Sequence, residues 1–187
     1  FGESGIEAVS LRTICSAAGQ RNVSSVQYHF GDKYGLLRDI MEYREKQMEP
    51  MRKIMLDAAR KQRRLRDVRV LLRILYEPYA RMFLDDGNTS YIKLISSYTN
   101  HIRPRGLVPH PAEYADNSYP SVHEAFSLLR TRLSFLDDDC FEQRAATVSA
   151  MFYGAFIQFS ARKPRKGLDK LDMMAAAIAI PIDPHQE

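Results

Sequence analysis

Apolar residues recur three and four apart along almost the whole of this chain, and nowhere do they alternate with polar ones in runs bounded by turn residues. The first spacing repeats with the turn of a helix and the second with the pleat of a strand, so the pattern predicts an all-α fold. The predicted helices fall into two groups. Over the first 35 or so residues they are short, and over the rest they are long. At 187 residues and 45% hydrophobic content the chain can form a proper core and one or two compact units.

"VSLRTICSAAG" reads as the first short helix. Ser10 is a suitable N-cap, Val9 and Ile14 stand at the two positions of a hydrophobic staple, and Gly19 is the stop. "QRN" connects it to "VSSVQYHF", where Val23, Val26 and Phe30 share one helical face. Gly31 breaks this second helix. Asp32 caps a third, which runs from Lys33 to about Arg60 with Leu36, Leu37, Ile40 and Met41 inward, and which Pro50 should bend or split.

A fourth helix carries Val68, Leu71, Leu72, Leu75, Tyr76, Tyr79, Met82 and Phe83, with a kink expected at Pro78 and an end at "DDGN". "SYIKLISSYTN" is a short helix, and the Pro-rich stretch 103–118 reads as a long loop. Two long helices follow, one over about 119–135, the next opening on a capping box from Asp139 to Glu142. "LDKLDMMAAAIAI" suggests a last helix ahead of a frayed tail.

Two short helices joined by a tight turn form the helix-turn-helix pattern, whose second helix enters a DNA major groove. Ser24 and Ser25 are small enough to let a helix approach bases closely, and Gln27 can pair with adenine through two hydrogen bonds. Tyr28 and His29 can reach backbone phosphates, and Lys33 adds charge beside the amides of the next helix start. The alternative for "SSVQYHF" is the surface helix of an ordinary bundle.

"SLRTICSAAG" followed by "YHFGDKYGLL" closely resembles the tetracycline-repressor-like (TetR) family of bacterial transcription regulators. The match covers roughly residues 1–40, where residue types, order and spacing all agree. The remainder agrees only in being helical and of suitable length. The resemblance divides the chain into a helix-turn-helix DNA-binding domain, 1–40, and a helical ligand-binding and dimerisation domain, 41–187. "FGESGIEAVS" matches the family's junction between its first and second helices. Most of the first helix is therefore expected to be missing, as is the true start, since the chain opens on Phe1.

Counting back from Tyr28 and His29, the family's base- and phosphate-facing positions fall on Ser24, Ser25, Gln27, Tyr28, His29 and Lys33. Its phosphate contacts at the preceding helix start fall on Ser10 and Arg12. The turn is one residue longer than the commonest family form, which leaves Gln20, Arg21, Asn22 and Val23 without a carried-over role. Asn22 is expected to cap the second helix rather than touch DNA.

The resemblance also implies a small-molecule pocket among the long helices. Its candidate residues are Tyr76, Tyr79, Met82, Phe83, Tyr98, His101, Phe126, Met151, Phe152 and Phe156, although such a stripe is first of all core. Ala145, Ala146, Ser149, Ala150 and Gly154, small enough for close helix approach, are the candidate homodimer contacts, with intrachain packing as the alternative.

The expected function is a homodimeric repressor that an effector, a small hydrophobic molecule, releases from a pseudo-palindromic operator. An activator, or a regulator without a small-molecule ligand, remains open. An all-helical enzyme is disfavoured. The five histidines, His29, His101, His110, His123 and His185, show no metal-ligand spacing such as HExxH. Cys140 lies at a helix start but has no nameable base. No catalytic residue, metal or cofactor is expected.

The net charge of +4 suits a nucleic-acid partner only mildly. Residues 1–45 carry five Lys and Arg against six Asp and Glu, while the excess lies in "RKQRRLRDVR". That run reads as a solvated helix end rather than a second DNA patch. Cys15 and Cys140 read as free thiols of a reducing cytoplasm, with a disulfide or redox switch as the alternative. No run of eighteen apolar residues occurs, so no membrane-spanning helix is expected.

Overall fold

The computed structural model describes residues 1–20, 22–86, 89–114 and 118–160, and among these every regular element is helical. In chain order they are α1 (Leu11–Ala17), α2 (Val23–Phe30), α3 (Lys33–Lys61), α4 (Val68–Asp86), α5 (Ser90–Ser97), α6 (Pro120–Arg132) and α7 (Asp138–Ser160). The last helix expected from "LDKLDMMAAAIAI" and the tail lie outside the described residues, as do Arg21, Gly87 and Asn88.

The caps explain how the first three helices begin. Ser10 Oγ accepts from the Thr13 amide at 3.1 Å. Asn22 Oδ1 accepts from the Ser24 amide at 3.0 Å, so Asn22 does cap α2. Asp32 Oδ1 accepts from the amides of Tyr34 and Gly35, both at 2.8 Å. Each satisfies donors that a helix N-terminus otherwise leaves free. Gly31 turns the chain between α2 and α3 at φ 74°, in the left-handed region that side chains disfavour.

Neither proline splits its helix. α3 continues through the exposed Pro50 to Lys61, and α4 through Pro78 to Asp86. Proline removes one backbone hydrogen bond, but the buried stripes on both sides hold the flanking turns in line. α3 buries Leu37, Met41, Glu45, Met48, Arg52, Leu56 and Ala59, three and four apart. α4 is enclosed more completely, since every residue from Leu71 to Ala80 except Arg73 is buried. It packs against α3 and α6, while α5 packs against α7.

Three boundaries differ from the sequence reading. α5 passes into a turn of π-helix, Tyr98–Ile102, and the Pro-rich stretch contains 3-10 turns at Arg103–Arg105 and Pro111–Glu113. α6 ends at Arg132. α7 is capped by Asp137, whose Oδ1 accepts from the Cys140 amide at 2.7 Å, and not through Asp139. Three consecutive aspartates offered three similar caps, and the one that serves directly follows the buried Leu136.

The N-terminal residues are tied to the later helices. Glu7 receives Lys33 Nζ, Tyr34 Oη and Arg105 Nη1 at 2.9–3.1 Å, and Glu3 receives Lys93 Nζ at 2.9 Å. α1 packs on α2, and α2 on the start of α3. At that last contact a Cβ on Gly35 would lie 1.8 Å from the Phe30 carbonyl oxygen. Gly35→Ala should therefore cost about 1–3 kcal/mol, the range for overpacking a tight contact. Urea unfolding would measure it, and an unchanged midpoint would show that α2 and α3 can separate freely.

Candidate functional site

Two places gather polar groups that packing alone does not require. The first is the outer face of α2. Val23, Val26 and Phe30 are half-buried against the scaffold, and Ser24, Ser25, Gln27, Tyr28 and His29 are all exposed, Tyr28 at 86%. The rings of Tyr28 and His29 meet edge to face, 5.5 Å apart. Ser10 and Arg12 are exposed at the start of α1, although Ser10 Oγ is engaged in its cap. Lys33 is placed differently from these. Its Nζ contacts the Glu7 carboxylate at 3.1 Å and the carbonyl oxygens of Glu7 and Ile6 at 3.2 and 3.4 Å. It holds the N-terminal turn to α3 and is the least available of the eight for a phosphate.

The second place is a cavity of about 390 Å³. Arg52 of α3, Leu75, Tyr76 and Tyr79 of α4, and Val122, Phe126 and Arg130 of α6 form part of its wall. Tyr98, Thr99, Arg103, His110, Ala112 and Glu113 add a second side, and Asp138, Phe141, Glu142, Ala145, Ser149 and Tyr153 of α7 a third.

Of the residues expected in a pocket, Tyr76, Tyr79, Tyr98 and Phe126 border this cavity. Phe152 and Phe156 are buried in the core beside it, and Met82 packs half-buried against the core. His101 and Met151 are exposed, because the π turn and the outer side of α7 carry them away. Phe83 lies outside the described side chains. Two residues expected at a dimer contact, Ala145 and Ser149, border the cavity, and Ser149 Oγ is 2.7 Å from Tyr76 Oη. Ala146, Ala150 and Gly154 are half-buried on α7.

Sequence reasoning missed the polar centre of this site. Glu45 and Arg52 are 0% and 1% exposed and form an ion pair, Arg52 Nη1 to Glu45 Oε2 at 2.5 Å. Tyr79 Oη donates to Glu45 Oε1 at 2.7 Å, and the guanidinium lies over the Tyr79 ring, 5.7 Å from its centroid. One signal was present. Both residues fall on the apolar stripe of α3, where a lone charge would be costly and a pair two turns apart can compensate.

Burial alone would raise the Glu45 pKa. The Arg52 charge and the hydrogen bonds from Arg52 and Tyr79 outweigh it, and the carboxyl titrates below its ordinary range. Burial pushes Tyr79 in the other direction, well above the ordinary phenol value, and the Glu45 charge adds to it.

His110 completes the cluster. Its Nδ1 accepts from the Ala112 amide at 3.1 Å, so the neutral ring carries its proton on Nε2, 3.8 Å from Glu45 Oε1. Burial lowers the His110 pKa, and the nearby carboxylates of Glu45 and Glu113 offset this only in part.

Among the described residues no cluster of His, Cys, Asp or Glu could hold a metal ion, and no helix is long and apolar enough to cross a membrane. Cys15 and Cys140 are both free thiols. No protein-family model, curated protein or solved structure matches this chain.

The imidazole gives a stability that depends on pH. The unfolded chain binds the histidine proton below about pH 6.5, and the folded chain resists it. Stability is thus complete above that pH and falls on acidification toward the lower folded value. His110→Asn keeps an acceptor for the Ala112 amide and has no proton to take up. It should flatten the decline in melting temperature between pH 6.5 and 5. A variant that declines as steeply as the parent would exclude a buried neutral imidazole as the source.

Proposed function

We propose that this chain is a DNA-binding transcription regulator of the TetR type, a homodimeric repressor that a small hydrophobic effector releases from a pseudo-palindromic operator. The observation that carries the reading is the outer face of α2. Five residues able to hydrogen-bond to bases or phosphates stand exposed together on a capped, eight-residue helix, whose apolar side is held by α1 and α3. A helix presented in this way fits a major groove about 12 Å wide. The resemblance of residues 1–40 to the TetR pattern gives the same positions the same role.

The cavity supports the effector half of the reading. It is of the size and partly apolar character usual for small-molecule sites. One helix, α3, begins next to α2 and carries Arg52 to the cavity wall, so head and cavity share a rigid element. For the dimer, the half-buried Ala146, Ala150 and Gly154 give α7 a small-residue face that a second copy could approach closely. In such a dimer two α2 helices about 34 Å apart would meet successive major grooves.

Fluorescence-anisotropy titration of the full chain on its own promoter region tests this. Operator binding should exceed binding to competitor DNA, and equal affinity for both would refute it. Within that assay, Gln27→Ala should reduce discrimination at one base pair by about 1–3 kcal/mol. Tyr28→Phe should weaken operator and competitor alike, since a phosphate contact carries no sequence information. The same loss of discrimination in both variants would show that α2 does not divide its face in this way.

A further inference from the structure

The cavity wall carries enough chemistry to name what it would bind. Six aromatic rings border it: Tyr76, Tyr79, Tyr98, Phe126, Phe141 and Tyr153. Three of the phenols are already engaged, Tyr79 with Glu45, Tyr98 with the Val108 carbonyl at 2.9 Å, and Tyr76 with Ser149. A guest therefore meets mainly ring surface.

The charges on the wall are balanced. Arg52, Arg103 and Arg130 stand against Glu113, Asp138 and Glu142. Each arginine is also already bonded to a carboxylate, Arg52 to Glu45, Arg103 to Glu113 at 2.6 Å and Arg130 to Asp138 at 2.6 Å. An entering anion would find no unpaired arginine among the described residues of the wall and would lie close to the buried charge of Glu45. One donor on the wall is buried and has no partner among the described residues. Arg52 is 1% exposed, and its Nε has no hydrogen-bond partner among the described residues. A buried N–H without an acceptor is costly, and a ligand that supplies one removes that cost.

We propose that a small shift of the wall uncovers Arg52 Nε, which is closed off in this structure, and that the cavity then binds an uncharged, planar aromatic molecule bearing one hydrogen-bond acceptor, such as a ketone oxygen, on that N–H while the rings lie among the tyrosines. This deepens the regulator reading and rests on it for any consequence at DNA, but binding itself is independent of DNA.

Calorimetric titration of the full chain with three matched probes tests the ligand class. These are 9-fluorenone, which has the acceptor, fluorene, which lacks it, and fluorene-9-carboxylate, which is anionic at neutral pH. Fluorenone should bind at least tenfold more tightly than either of the others. The double variant Glu45→Gln, Arg52→Met removes the ion pair as a unit while leaving Tyr79 an acceptor. It should bind fluorenone and fluorene equally.

Ala145→Phe, which adds a ring inside the cavity from α7, should abolish binding of all three probes and so places them there whether or not the double variant folds. Tightest binding by the carboxylate, equal binding of fluorene and fluorenone by the parent chain, no binding of any probe, or fluorenone binding untouched by Ala145→Phe would each overturn the proposal. Retained operator preference in those cases would leave the regulator reading standing. Fluorenone binding by a chain with no operator preference would remove that reading and keep the ligand class.

Discussion

The buried pair of Glu45 and Arg52 constrains everything around it. Each ion gives up hydration worth several kcal/mol when it leaves water, and an isolated charge at either position would expel its helix from the core. The pair is tolerable only because Tyr79 donates to the carboxylate and lends its ring to the guanidinium, with His110 close by. α3, α4 and the segment from Tyr98 to Glu113 therefore meet in one arrangement. Replacing the whole cluster by well-packed apolar residues could be neutral for stability, whereas removing one member would cost about 3–5 kcal/mol. The cluster is thus poorly explained as a stabilising device. It borders the cavity, where Arg52 keeps a donor that no described neighbour uses.

The all-helical class was legible in the sequence because 3.6-residue periodicity survives substitution of any one residue. The start of α1 and the ends of α2 were legible because Ser10, Asn22, Gly31 and Asp32 act locally, through bonds to amides two or three residues away or through a backbone angle. The start of α7 was misread for the complementary reason. Asp137, Asp138 and Asp139 are equivalent as local caps, and the sequence does not show that Asp138 is engaged by Arg130 while Asp137 takes the Cys140 amide.

The cavity was half legible. Apolar periodicity identifies residues that face inward but does not tell a packed interior from an open one. Tyr76 and Phe152 sit on the same side of their helices' interface, with ring centroids 4.9 Å apart, yet only Tyr76 borders the cavity. His110, Arg103 and Glu113 were invisible because a Pro-rich stretch carries no periodicity. Its path is set by contacts ten residues apart, Tyr98 Oη with the Val108 carbonyl and Arg103 with Glu113, and by a distant one, Tyr114 Oη with Glu42. Lys33 shows how a local reading leaves out a partner far away in sequence. Its type and position suggest a phosphate, but Glu7, 26 residues earlier, folds back onto it.

Any influence of the cavity on α2 has two physical routes. One runs through ion pairs, since Arg105 follows the cavity residue Arg103 and binds Glu7. The other runs through α3, whose Arg52 borders the cavity and whose first turn lies against Phe30. The magnitudes separate them. The Arg105 and Glu7 side chains are 58% and 51% exposed, and exposed pairs contribute about 0–1 kcal/mol and less in salt. A shift of α3 acts instead on a close backbone contact at Gly35, where even a methyl group added to the packing would cost about 1–3 kcal/mol. The helix, not the surface charges, is the route able to carry a coupling of the usual 1–3 kcal/mol. From Lys33 to Arg52 it spans about 30 Å at 1.5 Å per residue, so a small rotation at the cavity becomes a larger displacement at α2.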